Sequence, residues 1–180
     1  FRYSACDFCD DVFAECADIV VGDAWLPAYT KDSGGNSICV VRSQHLAELL
    51  DAGAKRGELN LNKNISPDEV AESQLGGLRD RREGLAYRLY LKKKEKVWAP
   101  NKRFGAEKSH INRARKRIYE NRMELGYESH VAWREAIDKD DFRVFEDKMK
   151  PMIESYYKLY RPLWRRWLGK IKQIFLKGIK

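Results

Sequence analysis

Long apolar runs are missing from this chain. No stretch approaches the roughly 20 apolar residues that a membrane-spanning helix needs, and none reads as a signal peptide. Cysteine is scarce: four among 180 residues (Cys6, Cys9, Cys16, Cys39) do not make a disulfide framework. Reduced thiols in a cytosolic protein are the expectation. The three histidines, His45, His110 and His130, lie far apart in sequence and define no catalytic dyad. No internal repeat is visible. Acids stop at Glu154, and the eight cations that follow equal the whole net charge of +8. Residues 1–40 run the other way, with Arg2 and Lys31 against seven acids for a local charge of −5. The basic character therefore belongs to the tail. The chain opens on Phe1 rather than Met, and we expect it to be the C-terminal part of something longer.

What is present is ordinary for a soluble protein: 43% hydrophobic and 34% charged residues. That length supports one core, or one domain with a smaller appendage. The densest signal is Cys6-Asp7-Phe8-Cys9, followed by Ala17-Asp18-Ile19-Val20-Val21-Gly22-Asp23-Ala24-Trp25. The β-branched run at 19–22 predicts a buried strand ending in Gly-Asp. Residues 26–36, with Pro27, Gly34 and Gly35, predict a loop. Residues 37–41 predict a second buried strand, because strands covered on both faces read as continuous apolar runs.

Ser43 is placed to cap a helix through about Ala54, closed by Gly57. Residues 58–61 suggest a short edge strand. Ser66-Pro67-Asp68-Glu69 combines a capping serine, a first-turn proline and a capping-box glutamate. After an interruption at Gly76-Gly77, residues 78–97 predict a helix rich in Arg and Lys, stopped by Pro100. Such a run, Arg88 included, is more often a solvated face than a phosphate site. Residues 101–180 are nearly all helix-compatible, with breaks near Gly126 and Pro151. The fold class is α/β or α+β: a small sheet with flanking helices over residues 1–100, then an all-helical extension over 101–180.

Cys6 and Cys9 suit a metal or cluster, since thiolates three positions apart in a loop can grip one iron or zinc. Their bland alternative is two small buried hydrophobes. Cys16 is a weaker third candidate, and Cys39 reads as core. Gly22-Asp23 at a strand end can admit a cofactor to the backbone, the carboxylate accepting from a ligand hydroxyl or ring N–H. A simple turn explains it equally well. Trp25 reads either as a core lid or as a stacking surface. Gly34-Gly35-Asn36-Ser37 is weak as a phosphate cradle, because such loops normally lead into a helix.

Residues 162–180 form an amphipathic pattern. Leu163, Trp164, Trp167, Leu168, Ile171, Ile174, Phe175 and Ile179 share one half of the helical circumference, and cations fill the other. That pattern fits a helix lying on an anionic membrane, or one docked on its own domain or a partner subunit. Nucleic acid is the weaker partner, since the aromatics line the apolar stripe rather than interleave with the cations.

CDFC, ADIVVGDAW, the glycine loop and SICVVRS together resemble the C-terminal domain of the coenzyme F420 hydrogenase/dehydrogenase beta-subunit family, over about residues 3–100. The resemblance implies an iron–sulfur flavoprotein that passes electrons between a 4Fe-4S cluster, FAD and a substrate such as the deazaflavin coenzyme. It implies cluster ligation by Cys6 and Cys9, and a flavin framed by Gly22, Asp23, Gly35, Ser37 and Arg42. The family's N-terminal half, with the remaining cluster ligands, is not in this chain, and residues beyond 101 have no counterpart in it. A cytoplasmic oxidoreductase fragment with an electron-transfer partner subunit is the expectation, with peripheral membrane contact at the inner face through residues 162–180. The rival is a non-catalytic membrane- or partner-docking module with a structural or vestigial CxxC.

Overall fold

A computed structural model describes residues 2–160, so the amphipathic pattern at 162–180 lies outside the described residues. In chain order the elements are α1 (Ser4–Asp7), β1 (Ile19–Asp23), β2 (Ser37–Val41), α2 (Gln44–Lys55), α3 (Pro67–Ser73), α4 (Leu75–Arg79), a π-helical turn (Asp80–Gly84), α5 (Leu85–Glu95), α6 (Arg113–Asp138) and α7 (Arg143–Tyr160). The class is mixed α/β, with a two-stranded antiparallel sheet and a helical C-terminal part. Packing divides the described chain into two compact units: residues 2–9 with 84–160, and residues 10–83.

The unit of residues 10–83 is built on a β-hairpin. Ile19 pairs with Val41, Val20 with Val40, Val21 with Cys39, Gly22 with Ile38, and Asp23 with Ser37. The strands are less buried than their β-branched runs predict. Ile38 is buried, but Val21 is 60% exposed, Asp23 and Ser37 are exposed, and Cys39 is half-buried. A two-stranded antiparallel ribbon leaves much of its surface uncovered, unlike the parallel sheet that a continuous apolar run suggests. Ala24, Leu26, Ile38 and Leu78 are the buried apolar residues of this unit.

Ser66 caps α3 as expected. Its hydroxyl accepts from the Glu69 amide at 3.2 Å, and the Glu69 carboxylate accepts from the Ser66 amide at 2.8 Å. Gly57 follows α2 with φ +76°, a left-handed turn that favours glycine. Residues 58–61 are not a strand; Gly57 turns the chain so that Leu59 packs over Gly53, and no partner strand meets it among the described residues. Gly76-Gly77 sits inside α4, and the interruption falls at Gln74 instead.

In the other unit α6 and α7 form an antiparallel helical hairpin joined through Asp140, whose φ is +49°. Trp133 meets Phe142 and Phe145 edge-on at 6.2 and 5.9 Å. Near the far end, Arg122 donates to the Tyr156 and Tyr160 hydroxyls at 2.8 and 2.7 Å. This pairing carries α7 straight through Pro151, which removes one intrahelical hydrogen bond. Gly126 likewise lies within α6, so neither residue breaks a helix. Between α5 and α6, Glu107 accepts from the Ser109 hydroxyl and from the Ser109 and Lys108 amides, which hold its carboxyl down to about 2.

The core of this unit includes Leu85, Tyr87, Leu89, Ile111, Ile118 and Tyr119. Arg88 lies among them with no exposed surface, contrary to the solvated face expected of the 78–97 helix. Its guanidinium stands 5.8 Å from the Tyr119 ring centroid. Gly84 makes room for both: a Cβ there would fall 2.8 Å from Tyr119 Cε1 and 2.9 Å from an Arg88 terminal nitrogen. Gly84→Ala is therefore expected to lower stability by about 1–3 kcal/mol, the usual cost of overpacking, measured by urea denaturation. An unchanged midpoint would show that the ring and guanidinium yield freely.

Candidate functional site

Cys6 occupies the last turn of α1, and Cys9 follows two residues after that helix ends. The segment is tightly wound: the Cys6 amide donates to the Tyr3 carbonyl at 2.9 Å, and the Phe8 amide to the Ala5 carbonyl at 3.1 Å. Cys6 is exposed and Cys9 half-buried, so the pair is not two small core residues. Two arginines grip the peptide around the thiols. Arg88 Nε donates to the Asp7 carbonyl at 2.7 Å from 81 residues away. Arg2 donates to the Cys6 carbonyl at 3.2 Å and lies 3.0 Å from the Asp7 carboxylate, which is itself buried. The Arg2 carbonyl in turn sits 3.2 Å from His130 Nε2 on α6, and the Tyr3 ring stacks on His130 at 5.2 Å.

Sequence reasoning does not single out Arg2, Arg88 or His130 as site residues. Spacing offers one clue: in Leu85-Ala86-Tyr87-Arg88-Leu89, Arg88 falls three positions after Leu85, on the apolar face. The contact between Arg2 and His130 carries no local signal, because it joins segments 128 residues apart.

Four of the five residues expected near a flavin converge at the tip of the β-hairpin. Asp23 pairs directly with Ser37, Gly22 lies one rung back, and Gly35 sits in the connecting loop with φ +79°. The backbone at Gly22 is open, with no atom within 4 Å of where a Cβ would stand. The strand end is pinned from the end of α3: the Asp23 carbonyl accepts from Gln74 Nε2 at 2.8 Å, while Ser73, itself buried, accepts from the Trp25 amide at 3.0 Å. Asp23 is exposed, and its carboxylate accepts no hydrogen bond among the described residues. Trp25 is 62% exposed beside a cleft of about 430 Å³ formed with residues 72–77. It is therefore a surface ring, not a core lid.

The glycine loop is already filled. Asp32 accepts from the Gly34 amide at 2.9 Å and from Asn36 Nδ2 at 3.0 Å, which occupies with a carboxylate the place a phosphate would take. Arg42 stands at the opposite end of the hairpin, five residues from Ser37, or roughly 17 Å along an extended strand. There it donates to the carbonyls of Phe13, Ala14 and Ala17 at 3.0, 3.1 and 2.8 Å. It thereby holds a loop that contains Ala14 at a left-handed φ of +45°.

A four-iron cluster takes four thiolates. Among the described residues no group of three His, Cys, Asp or Glu side chains could hold a metal ion. Cys6 and Cys9 thus offer two ligands of the right softness, and the described residues do not complete a cluster site. Cys16 is exposed and Cys39 half-buried, both in the other unit, and burial pushes the Cys39 thiol above its ordinary value. At the hairpin tip, Asp23, the Ser37 hydroxyl and the open Gly22 backbone suit the hydroxyl and ring N–H groups of a cofactor rather than its phosphates.

The stretch that carries both the thiol pair and the hairpin is the part of the chain that matches a known family. Residues 1–67 match the family model that describes the C terminus of the beta subunit of coenzyme F420 hydrogenase/dehydrogenase. The match runs through α2 to the first residue of α3, so the resemblance read from the sequence holds there, while residues 68–100 lie beyond it. No curated protein and no solved structure matches the chain.

The three bonds of Arg42 need a forked donor. Arg42→Lys keeps the charge but offers one nitrogen, and is expected to cost about 1 kcal/mol and to speed amide hydrogen exchange over residues 13–18. Exchange at the wild-type rate would mean that the loop holds its shape without the guanidinium.

Proposed function

We propose that this chain is part of an iron–sulfur flavoprotein oxidoreductase, working with a partner subunit on a substrate such as the deazaflavin coenzyme F420. The observation that carries the reading is that one family match spans both the paired thiols and the hairpin. Cys6 and Cys9 supply two ligands of a 4Fe-4S cluster, whose other ligands come from outside the described residues. Gly22, Asp23, Gly35 and Ser37 frame FAD, and Arg42 serves it by fixing the loop at 13–17. The bound groups would supply one- and two-electron transfer. The chain's own residues bind and orient: Arg2 and Arg88 hold the thiol-bearing peptide, and Asp23 presents its carboxylate. The full-length protein, purified anaerobically, is expected to be brown-yellow and to contain iron, sulfide and flavin. Cys6→Ser with Cys9→Ser should lose iron while retaining flavin. A colourless, iron-free and flavin-free protein would overturn the reading.

We place the protein in the cytoplasm, with peripheral contact to an anionic membrane through residues 162–180. The observation that supports the membrane contact is the pairing of a cationic and an apolar half in that sequence. Deleting residues 162–180 is expected to abolish flotation with vesicles rich in anionic lipid. Flotation that survives the deletion rules out the tail as the anchor.

A further inference from the structure

A cleft of about 600 Å³ lies beside Asp7 and Phe8, between the N-terminal segment and α6, wholly within one compact unit. Its size falls in the range of small-molecule sites, roughly 300–1,000 Å³. The family match ends at residue 67, so the α6 wall comes from sequence outside it. Tyr3 and Phe8 form one side, and Met123 and Val131 the other. Aromatic rings with an adaptable thioether favour a flat apolar guest.

The charged groups around the cleft narrow its chemistry further. Arg2, Lys92 and Arg134 are balanced by Asp7, Glu135 and Asp138. Most are committed to each other or to neighbours: Arg2 to Asp7, Lys92 to Glu95 at 3.5 Å, and Glu135 to Lys148. A ligand of high net charge gains little from so balanced a ring. Among the lining residues, Tyr127 and Arg134 can donate from α6; they are seven residues apart and thus on one face of it, about 10 Å along its axis.

We propose that this cleft is a binding site for a neutral, planar aromatic ring bearing carbonyl acceptors, the chemical class of the quinones. The ring lies between Phe8 and α6, beside the stacked Tyr3 and His130 rings, with a carbonyl accepting from Tyr127 or Arg134. Asp7 and Phe8, the residues between the two thiols, border the same space, so the guest rests against the peptide that joins Cys6 and Cys9. Its redox meaning rests on the oxidoreductase reading above; its binding does not.

Duroquinone is a suitable probe, because its four methyl groups leave no open ring carbon for thiol addition. Titrated calorimetrically into the full chain free of iron and flavin, it should bind with 1:1 stoichiometry. Val131→Trp, which fills the cleft, should weaken binding about tenfold or more, equivalent to ~1.4 kcal/mol. Tyr127 is 70% exposed, so Tyr127→Ala removes wall and donor without opening the core and should also weaken binding. If Val131→Trp melts early, the Tyr127 variant decides. No saturable binding up to the solubility of the quinone, or wild-type affinity in the deciding variant, overturns the proposal. An absence of iron and flavin from the full-length protein would defeat the oxidoreductase reading and leave the duroquinone result standing.

Discussion

The buried guanidinium of Arg88 is the constraint on which the thiol-bearing unit depends. Taking such a charge out of water costs several kcal/mol unless fixed partners replace the solvent. Here the Asp7 carbonyl takes a hydrogen bond and the Tyr119 ring lies alongside, while Gly84 leaves the room that both require. One side chain therefore serves as core filler for α5 and α6 and as an anchor for the peptide between two cysteines. The second arginine, Arg2, works from the solvent side on the same short stretch. Cys6 is exposed and Cys9 half-buried on a backbone that both arginines hold.

The β-hairpin follows a different logic, in which its most suggestive polar groups are occupied by the protein itself. Asp32 takes the amide of the glycine loop, and Arg42 spends three donors on carbonyls. What remains presented at the tip is Asp23, Ser37 and a bare stretch of backbone at Gly22. Such a surface offers acceptors to hydroxyl and N–H groups more than donors to an anion. Rigidity comes from the end of α3, where Ser73 and Gln74 bond the strand end directly.

Features that depend on neighbours in sequence are legible. The capping box at Ser66, the left-handed close at Gly57, and the two strands around a glycine loop all follow from local rules that no distant contact overrides. The convergence of Gly22, Asp23, Gly35 and Ser37 is legible for the same reason, since hairpin register is set locally. Gly126 misleads because its role is not local. It lies where a Cβ would stand 3.4 Å from the Arg2 carbonyl, so the glycine admits a segment of chain from more than 120 residues away rather than ending a helix. Pro151 misleads because α6 supports α7 along its length. Arg88 reads as a surface cation when its charge is weighed and its position on the helix is not.

The joining of residues 2–9 to residues 84–160 also fixes an order of events during synthesis. The partners of Arg2 and Asp7 include Arg88 and His130, so a segment that leaves the ribosome early must wait for one of the later helices. At about 5–20 residues per second that wait is on the order of ten seconds. Through that interval the peptide of Cys6 and Cys9 has Arg2 beside it but lacks first Arg88 and then the α6 wall. The peptide that joins the two thiols therefore reaches its final geometry only after α5 and α6 have been made.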